Sequence, residues 1–251
     1  MEHGPDTKVA LQRVEEWIAK GDVEALLDFD KLYITSLPPL PDTLQKLSCP
    51  YTEITSIPPL PNSLKELYCG RFLHRILLDP NRPDAFAYCA NKHIRSLPPL
   101  PPFLEILDCA WTWITELPSL PDSLLKLNIE QTLISSLPSL PKKLNSLICS
   151  TSPITSLPDL PLTLKVLDCW STKITSLPNL PDSLEELICG STDIKELPPF
   201  PKSLRKLWAA YCDNLIIPFK REDTEVKRND YIKEYEALWK PIWESKNKSH
   251  Y

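Results

Sequence analysis

The sequence predicts a β-rich solenoid with short parallel strands on a concave side, extended polyproline-like segments on a convex side and a helix at each end. Three observations carry this. Cysteine recurs every twenty residues, at Cys49, Cys69, Cys89, Cys109, Cys149, Cys169 and Cys189, with Ile129 in the one gap. The same text surrounds each position, as in LPDLPLTLKVLDCWSTKITS over residues 157–176. Proline is abundant (28) and glycine scarce (4), and most prolines fall in a repeated LPxLP. So short a period means stacked units that bury apolar side chains against their neighbours, without one closed globular core.

Counted from the Leu of LPxLP, nine units run without insertion from Leu37 to Ile216. Residues 27–36 read as the second half of a preceding unit, so the solenoid is expected to cover 27–216. The segment L-x-x-L-x-C supplies the strand. In residues 157–176, Leu167 and Cys169 are two apart and share one face of an extended chain, while Val166, Asp168 and Trp170 share the other. Each unit thus gives one strand with a buried inner face, and nine strands about 4.8 Å apart would span roughly 43 Å.

LPxLP cannot be helical. Its two prolines fix φ, remove amide donors and hold the preceding residue extended. The return path is therefore expected to be polyproline-like, with its leucines turned inward. Pro-Asp-Ser-Leu and Pro-Asn-Ser-Leu supply turn chemistry before the next strand. An extended outer wall takes more space per residue than the strand side tolerates, which implies a curved, horseshoe-like stack.

The pattern LxxLxCxxTxIxxLPxLP resembles the leucine-rich repeat. It is most similar to the short LPX subtype found in effectors secreted by Gram-negative pathogens, and similar also to leucine-rich-repeat proteins of giant DNA viruses. The resemblance implies a protein-binding horseshoe, with a pathogen- or virus-encoded modulator of host proteins as the matching role. Some of those effectors carry a large C-terminal ubiquitin-ligase domain. Only some thirty-five residues follow the last repeat here, too few for it. This chain also departs from the family at its Asn position, which is Thr52, Thr112, Thr132, Ser152, Thr172 and Thr192. A hydroxyl can still serve backbone groups at the bend, so these residues read as a structural ladder. Phe72, Lys92 and Cys212 interrupt it.

The ends read as caps. Residues 6–28 are helical in pattern, with Val9, Ala10, Val14, Trp17 and Ile18 on one face and Gly21 as a breaker, which gives an N-terminal cap over 1–30. Residues 223–247 read as a second helix with Tyr231, Tyr235, Leu238, Trp239, Ile242 and Trp243, kinked at Pro241, within a C-terminal cap over 217–251. That helix could instead dock a partner. Residues 70–88 lose the consensus but keep its length, and gather Arg71, His74, Arg75 and Arg82. They are either a decayed repeat or a small basic site for an acidic partner loop.

Composition and motifs argue against several functions. Net charge is −5 with both signs interspersed, so no basic stripe marks a nucleic-acid or membrane surface. The start, MEHGPDTKVALQRVEEW, has no apolar leader, and cysteines sharing one column read as buried thiols. Together these suggest a reducing, cytoplasmic setting. None of the four histidines lies in a nucleophile motif, and there is no P-loop or glycine fingerprint. A line of thiols at strand spacing does not converge on a metal, and Cys-x-x-Cys is absent. The expectation is a non-enzyme without cofactor or metal.

What remains is the strand face. Its outward positions are Tyr68, Tyr88, Asp108, Asn128, Ile148, Asp168, Ile188 and Trp208, and neighbouring positions add Trp111, Trp113, Trp170 and Tyr211. Large aromatics on a solvated sheet suit a protein partner. Stacking on one another to shield the sheet is the alternative. The expected function is protein recognition by this face, with the tryptophans as anchors and Asp108, Asn128 and Asp168 setting polar specificity. The competing expectations are an adaptor that docks a larger assembly, such as a ubiquitin ligase, through a terminal helix, and a self-associating particle component.

Overall fold

The protein is described by a computed structural model covering residues 4–70, 93–209, 211, 212 and 215. The chain divides into two compact units, Met1–Ile134 and Ser135–Tyr251. Each is a parallel solenoid.

The first unit opens with helix α1, Thr7–Lys20, followed by strands β1 Leu26–Asp28, β2 Lys46–Ser48, β3 Glu66–Tyr68, β4 Ile106–Asp108 and β5 Lys126–Asn128. Neighbours pair in parallel, leucine on leucine: Leu27 with Leu47, Leu47 with Leu67, Leu67 with Leu107 and Leu107 with Leu127. The second unit holds β6 Ser146–Ile148, β7 Val166–Asp168, β8 Glu186–Ile188 and β9 Lys206–Trp208. Its register is Leu147 with Leu167, Leu187 and Leu207 in turn.

Alternation within each strand places the core as expected. Leu47, Leu67, Leu107, Leu147, Leu167 and Leu187 are fully buried, as are the cysteines two residues later. Two more columns complete each turn: Leu64, Leu104, Leu124, Leu144, Leu164 and Leu184 before the strand, and Ile54, Ile94, Ile114, Ile134, Ile154, Ile174 and Ile194 after it. A fully buried leucine or isoleucine contributes about 1.5–3 kcal/mol. The leucines of LPxLP were expected to point inward as well. Most of them, Leu117 and Leu120 among them, are only half-buried, because the outer wall has solvent on its far side.

The threonine ladder is present. Thr112, Thr132, Thr172 and Thr192 donate from Oγ1 to the carbonyls of Cys109, Ile129, Cys169 and Cys189 at 2.7–2.8 Å, and all four side chains are buried. Each hydroxyl thus satisfies a carbonyl where the strand ends. At the equivalent position, Cys212 Sγ reaches back to the preceding turn, 3.3 Å from the Cys189 carbonyl that Thr192 also serves. A second hydroxyl series ties the outer wall together. Ser63 Oγ donates to the carbonyls of Asp42 and Leu44 in the preceding turn, and Thr163 to those of Lys142 and Leu144. The sequence suggested only local turn chemistry there.

Two expectations change. The helical pattern over 6–28 ends earlier: α1 stops at Lys20, Gly21 takes the left-handed cap (φ 65) and residues 26–28 are β1. The buried stripe of α1 is Ala10, Val14 and Trp17, whereas Val9 and Ile18 are exposed. The stripe is narrow because α1 seats on one flank of the stack, with Arg13 donating to the Asp28 carbonyl and Trp17 Nε1 to that of Ala25.

The second change concerns register. The twenty-residue count placed a strand around Tyr88 between β3 and β4, but Leu67 pairs directly with Leu107, forty positions on. The flanking contacts agree: Cys69 N–H donates to the Asp108 carbonyl, Glu105 N–H donates to the Lys65 carbonyl, and His93 Nε2 lies 2.7 Å from Glu53 Oε2. Gly70 allows this closure, since a Cβ there would fall 2.2 Å from the Ala110 carbonyl oxygen. β3 and β4 are therefore neighbours in the sheet. Tyr88, residues 71–92 and the expected C-terminal cap lie outside the described residues.

Candidate partner-binding surface

Side chains on either side of each inward leucine project from the outer face of the sheet. In the first unit one row is Leu26, Lys46, Glu66, Ile106 and Lys126, and the other is Asp28, Ser48, Tyr68, Asp108 and Asn128. These groups satisfy one another, both across strands and along β3. Lys46 Nζ lies 3.5 Å from Glu66 Oε1, the Tyr68 hydroxyl donates to Glu66 Oε2 at 2.8 Å, and Asn128 Nδ2 donates to Asp108 Oδ2 at 3.0 Å. Burial raises the Tyr68 hydroxyl well above the ordinary phenol range, and its bond to Glu66 adds to this. Burial also lifts the Asp108 carboxyl to about 6, against opposing bonds from the Ala110 amide and Asn128.

The second unit differs in chemistry. One row is Ile148, Asp168, Ile188 and Trp208, and the other is Ser146, Val166, Glu186 and Lys206. Lys206 Nζ pairs with Glu186 Oε2 at 3.0 Å, so those charges offset each other. Beside them, Ile148, Val166, Ile188 and Trp208 give the face an apolar strip. Trp208 is 45% exposed at its end. Val166, and likewise Ile106, share the strand face by the same two-residue alternation that marks the others.

The other aromatics lie elsewhere. Trp111, Trp113, Trp170 and Tyr211 follow the strand ends and occupy the bends beyond them, not the strand face. Trp111 and Tyr211 hold left-handed backbone (φ 62 each), as do Lys31, Tyr51, Gln131, Thr151, Ser171 and Ser191 at the same place in their turns. This is uncommon for residues with a Cβ. The bend is held by bonds to the next turn, such as Trp111 N–H to the Glu130 carbonyl and Ser171 N–H to that of Gly190. Trp111 is half-buried. Trp113 is exposed on one side, with the Arg95 guanidinium over its ring at 5.1 Å. Trp170 is 39% exposed, and its equivalents in the adjacent turns are small, Ser150 and Gly190.

Asp108, Asn128 and Asp168 were expected to set polar specificity, and the structure gives each a structural task as well. Their Oδ1 atoms accept the amides of Ala110, Glu130 and Trp170, each at 3.1 Å, closing a turn at the strand end. The cysteine column supports no chemistry of its own. Among the described residues, burial raises the strand-end thiols of Cys49, Cys69, Cys109, Cys149, Cys169 and Cys189 well above the ordinary thiol range, Cys49 to about 12, so these sulfurs stay protonated. Among the described residues, no three His, Cys, Asp or Glu side chains are placed to hold a metal ion. No helix among them is long and apolar enough to cross a membrane.

Comparison with known proteins bears on the fold and on the surface. No protein-family model matches the chain, and neither does any curated protein. Among solved structures it is similar to the leucine-rich-repeat domain of a Shigella effector, at 30% identity over 77% of this chain and 80% of that one, with a TM-score of 0.62. It is also similar to YopM, a leucine-rich effector protein of Yersinia pestis, at 30% identity over 80% of this chain and 64% of that one, with a TM-score of 0.59. YopM of Yersinia enterocolitica matches at 27% identity over 88% of this chain and 56% of that one, with a TM-score of 0.50. The chain thus spans between half and two thirds of the YopM proteins it matches.

Proposed function

This chain belongs to the leucine-rich-repeat proteins, and on that premise we propose that it is a non-enzymatic recognition module that binds a partner protein on its outward strand face. One observation carries the reading. In the second unit, Ile148, Val166 and Ile188, each partly buried, and the exposed Trp208 line an apolar strip of the strand face, although the same strands bury their leucines one residue away. Apolar and aromatic side chains kept on such a face serve as anchors in protein interfaces. The raised thiols and the want of an activated nucleophile among the described residues favour binding over catalysis. The interspersed surface charge favours a protein partner over nucleic acid or membrane. Similarity to Shigella and Yersinia effectors supports a role as a pathogen- or virus-encoded modulator of host proteins, in a reducing cytoplasm that suits free buried thiols. Affinity capture from host-cell lysate tests the binding surface. Wild type is compared with an Ile188→Glu, Trp208→Ala variant and with a bend variant, Trp111→Ala, Trp170→Ala. Loss of a partner in the first and its retention in the second supports the strand face. An unchanged partner set in the first refutes it.

A second reading has its own observation. Helix α1 leaves Leu11 and Ile18 exposed along one flank of its buried stripe, and Val9 exposed on the other. An adaptor would use such a face to dock a larger assembly while the repeats hold a client. Leu11→Lys, Ile18→Lys would then lose one captured protein and keep another.

A further inference from the structure

Apart from the strand face, we infer that the outer wall of the first unit carries a second docking site: a groove that takes a tryptophan or tyrosine side chain of a partner protein, with an arginine or lysine beside it paired to Asp42. The groove measures about 470 Å³ and is lined by residues 37–40 and 58–61 and by Asp42. Its walls are two successive copies of the proline segment, LPPLP from Leu37 and IPPLP from Ile57. In each copy one proline is held inward, Pro38 buried and Pro58 half-buried, while the next, Pro39 or Pro59, is exposed. Leu40 and Leu60 are half-buried and add apolar surface to the groove. The two segments are tied to each other, since Ser63 Oγ donates at 2.7 Å to the carbonyls of both Asp42 and Leu44. A surface already fixed by proline and by these bonds loses little freedom when it binds.

The lining chemistry names the occupant. Proline rings in an extended chain are the surface that aromatic side chains pack against in polyproline recognition. Proline has no amide donor, so such a segment offers carbonyl oxygens, which an indole N–H or a phenol hydroxyl can meet. Pockets for whole small ligands are about 300–1,000 Å³, so one aromatic ring fits here with room beside it. Charge supplies the second requirement. Asp42 is exposed at the groove. In the described turns of this wall, residues 37–44, 57–64, 97–104 and 117–124, the charged side chains are Asp42 and Asp122 alone. The equivalent stretches of the second unit mix signs, with Lys142, Lys143 and Lys202 beside Asp159 and Asp182. A wall whose charges are all carboxylates selects a basic group next to the aromatic one.

The chain supplies its own conservative replacements. Ser119 and Ser139 stand in their turns where Pro39 and Pro59 stand in theirs, and Lys142 stands where Asp42 does. Pro39→Ser, Pro59→Ser and, separately, Asp42→Lys therefore introduce residues that this fold already accepts. A random-peptide phage library is selected on the full-length chain. Enriched peptides are then measured by biolayer interferometry on wild type, on these two variants and on Ile188→Glu, Trp208→Ala, with circular dichroism confirming that each is folded. One class of peptides should carry Trp or Tyr next to Arg or Lys. It should bind Pro39→Ser, Pro59→Ser about tenfold more weakly, weaken also on Asp42→Lys, and bind the strand-face variant as it binds wild type. A selection without that class overturns the inference, as do peptides that need the two prolines but lack the aromatic and basic pair. Enrichment only of peptides lost on Ile188→Glu, Trp208→Ala overturns it too, and leaves the strand-face reading standing.

Discussion

The direct pairing of β3 with β4 can be tested by distance. Adjacent strands lie about 4.8 Å apart, and a strand in between would separate them by about 9.6 Å. A disulfide needs Cα atoms about 4.4–6.8 Å apart. Tyr68 and Asp108 are in register and both project from the outer face, so cysteines placed there do not disturb the core. A Tyr68→Cys, Asp108→Cys variant should therefore oxidise readily. The native strand-end thiols are buried and protonated and should not compete. Closing a loop of about forty residues should stabilise the protein by about 4 kcal/mol, less about 1 kcal/mol for the turn bond that Asp108 gives up. Tyr68→Cys, Asn128→Cys is the control, with β4 between the two positions. The assay is copper-catalysed oxidation followed by non-reducing electrophoresis, peptide mapping and urea unfolding. If the 68–108 pair stays reduced while Tyr68→Cys bridges Tyr88→Cys, the plain twenty-residue register holds and the reasoning about Gly70 is wrong.

Other consequences are local to a turn. Thr172→Val should lower stability by about 1–3 kcal/mol in urea unfolding, because the buried Cys169 carbonyl loses its donor; a change below about 0.5 kcal/mol would mean the ladder is decorative. Ser171 holds φ 55, so Ser171→Gly should be neutral or stabilising by up to about 1 kcal/mol, whereas the same change at an exposed extended position should destabilise; equal losses would contradict a strained bend. Asp108 titrates near 6 when folded against 3.8 ordinarily, so the folded state binds its proton more tightly. Its contribution is full below about pH 4 and is lost as pH rises toward 6, by at most about 3 kcal/mol. Subtracting the Asp108→Asn stability profile from wild type should isolate that decline, and a flat difference would place the carboxylate in solvent.

Much of the fold was legible because each turn repeats one burial pattern. Leucine at the strand centre, cysteine two residues on and isoleucine after the bend mark the core directly, and the hydroxyl at Thr112 or Thr172 marks the strand-end carbonyl it satisfies. The step from Leu67 to Leu107 was hidden because it is a whole multiple of the period, so the text stays in phase. The left-handed bend was hidden too. Lys31, Thr151 and Ser171 carry no glycine signal, and their geometry is held by amide bonds to the neighbouring turn, at the carbonyls of Pro50, Trp170 and Gly190. The outward row Tyr68, Asp108, Asn128 and the row Ile148 to Trp208 followed from alternation, whereas separating strand-face residues from bend residues such as Trp113 and Trp170 required knowing where each three-residue strand stops.

The most direct measurement is hydroxyl-radical footprinting of the chain with a captured partner bound, read at single residues by mass spectrometry. If the outward strand face is where recognition occurs, Ile148, Val166, Ile188 and Trp208 become protected while the outer-wall residues Leu162 and Phe103 keep their free-state oxidation. Protection confined to the outer wall or to α1, with Trp208 oxidised as fully as in the free chain, would contradict it.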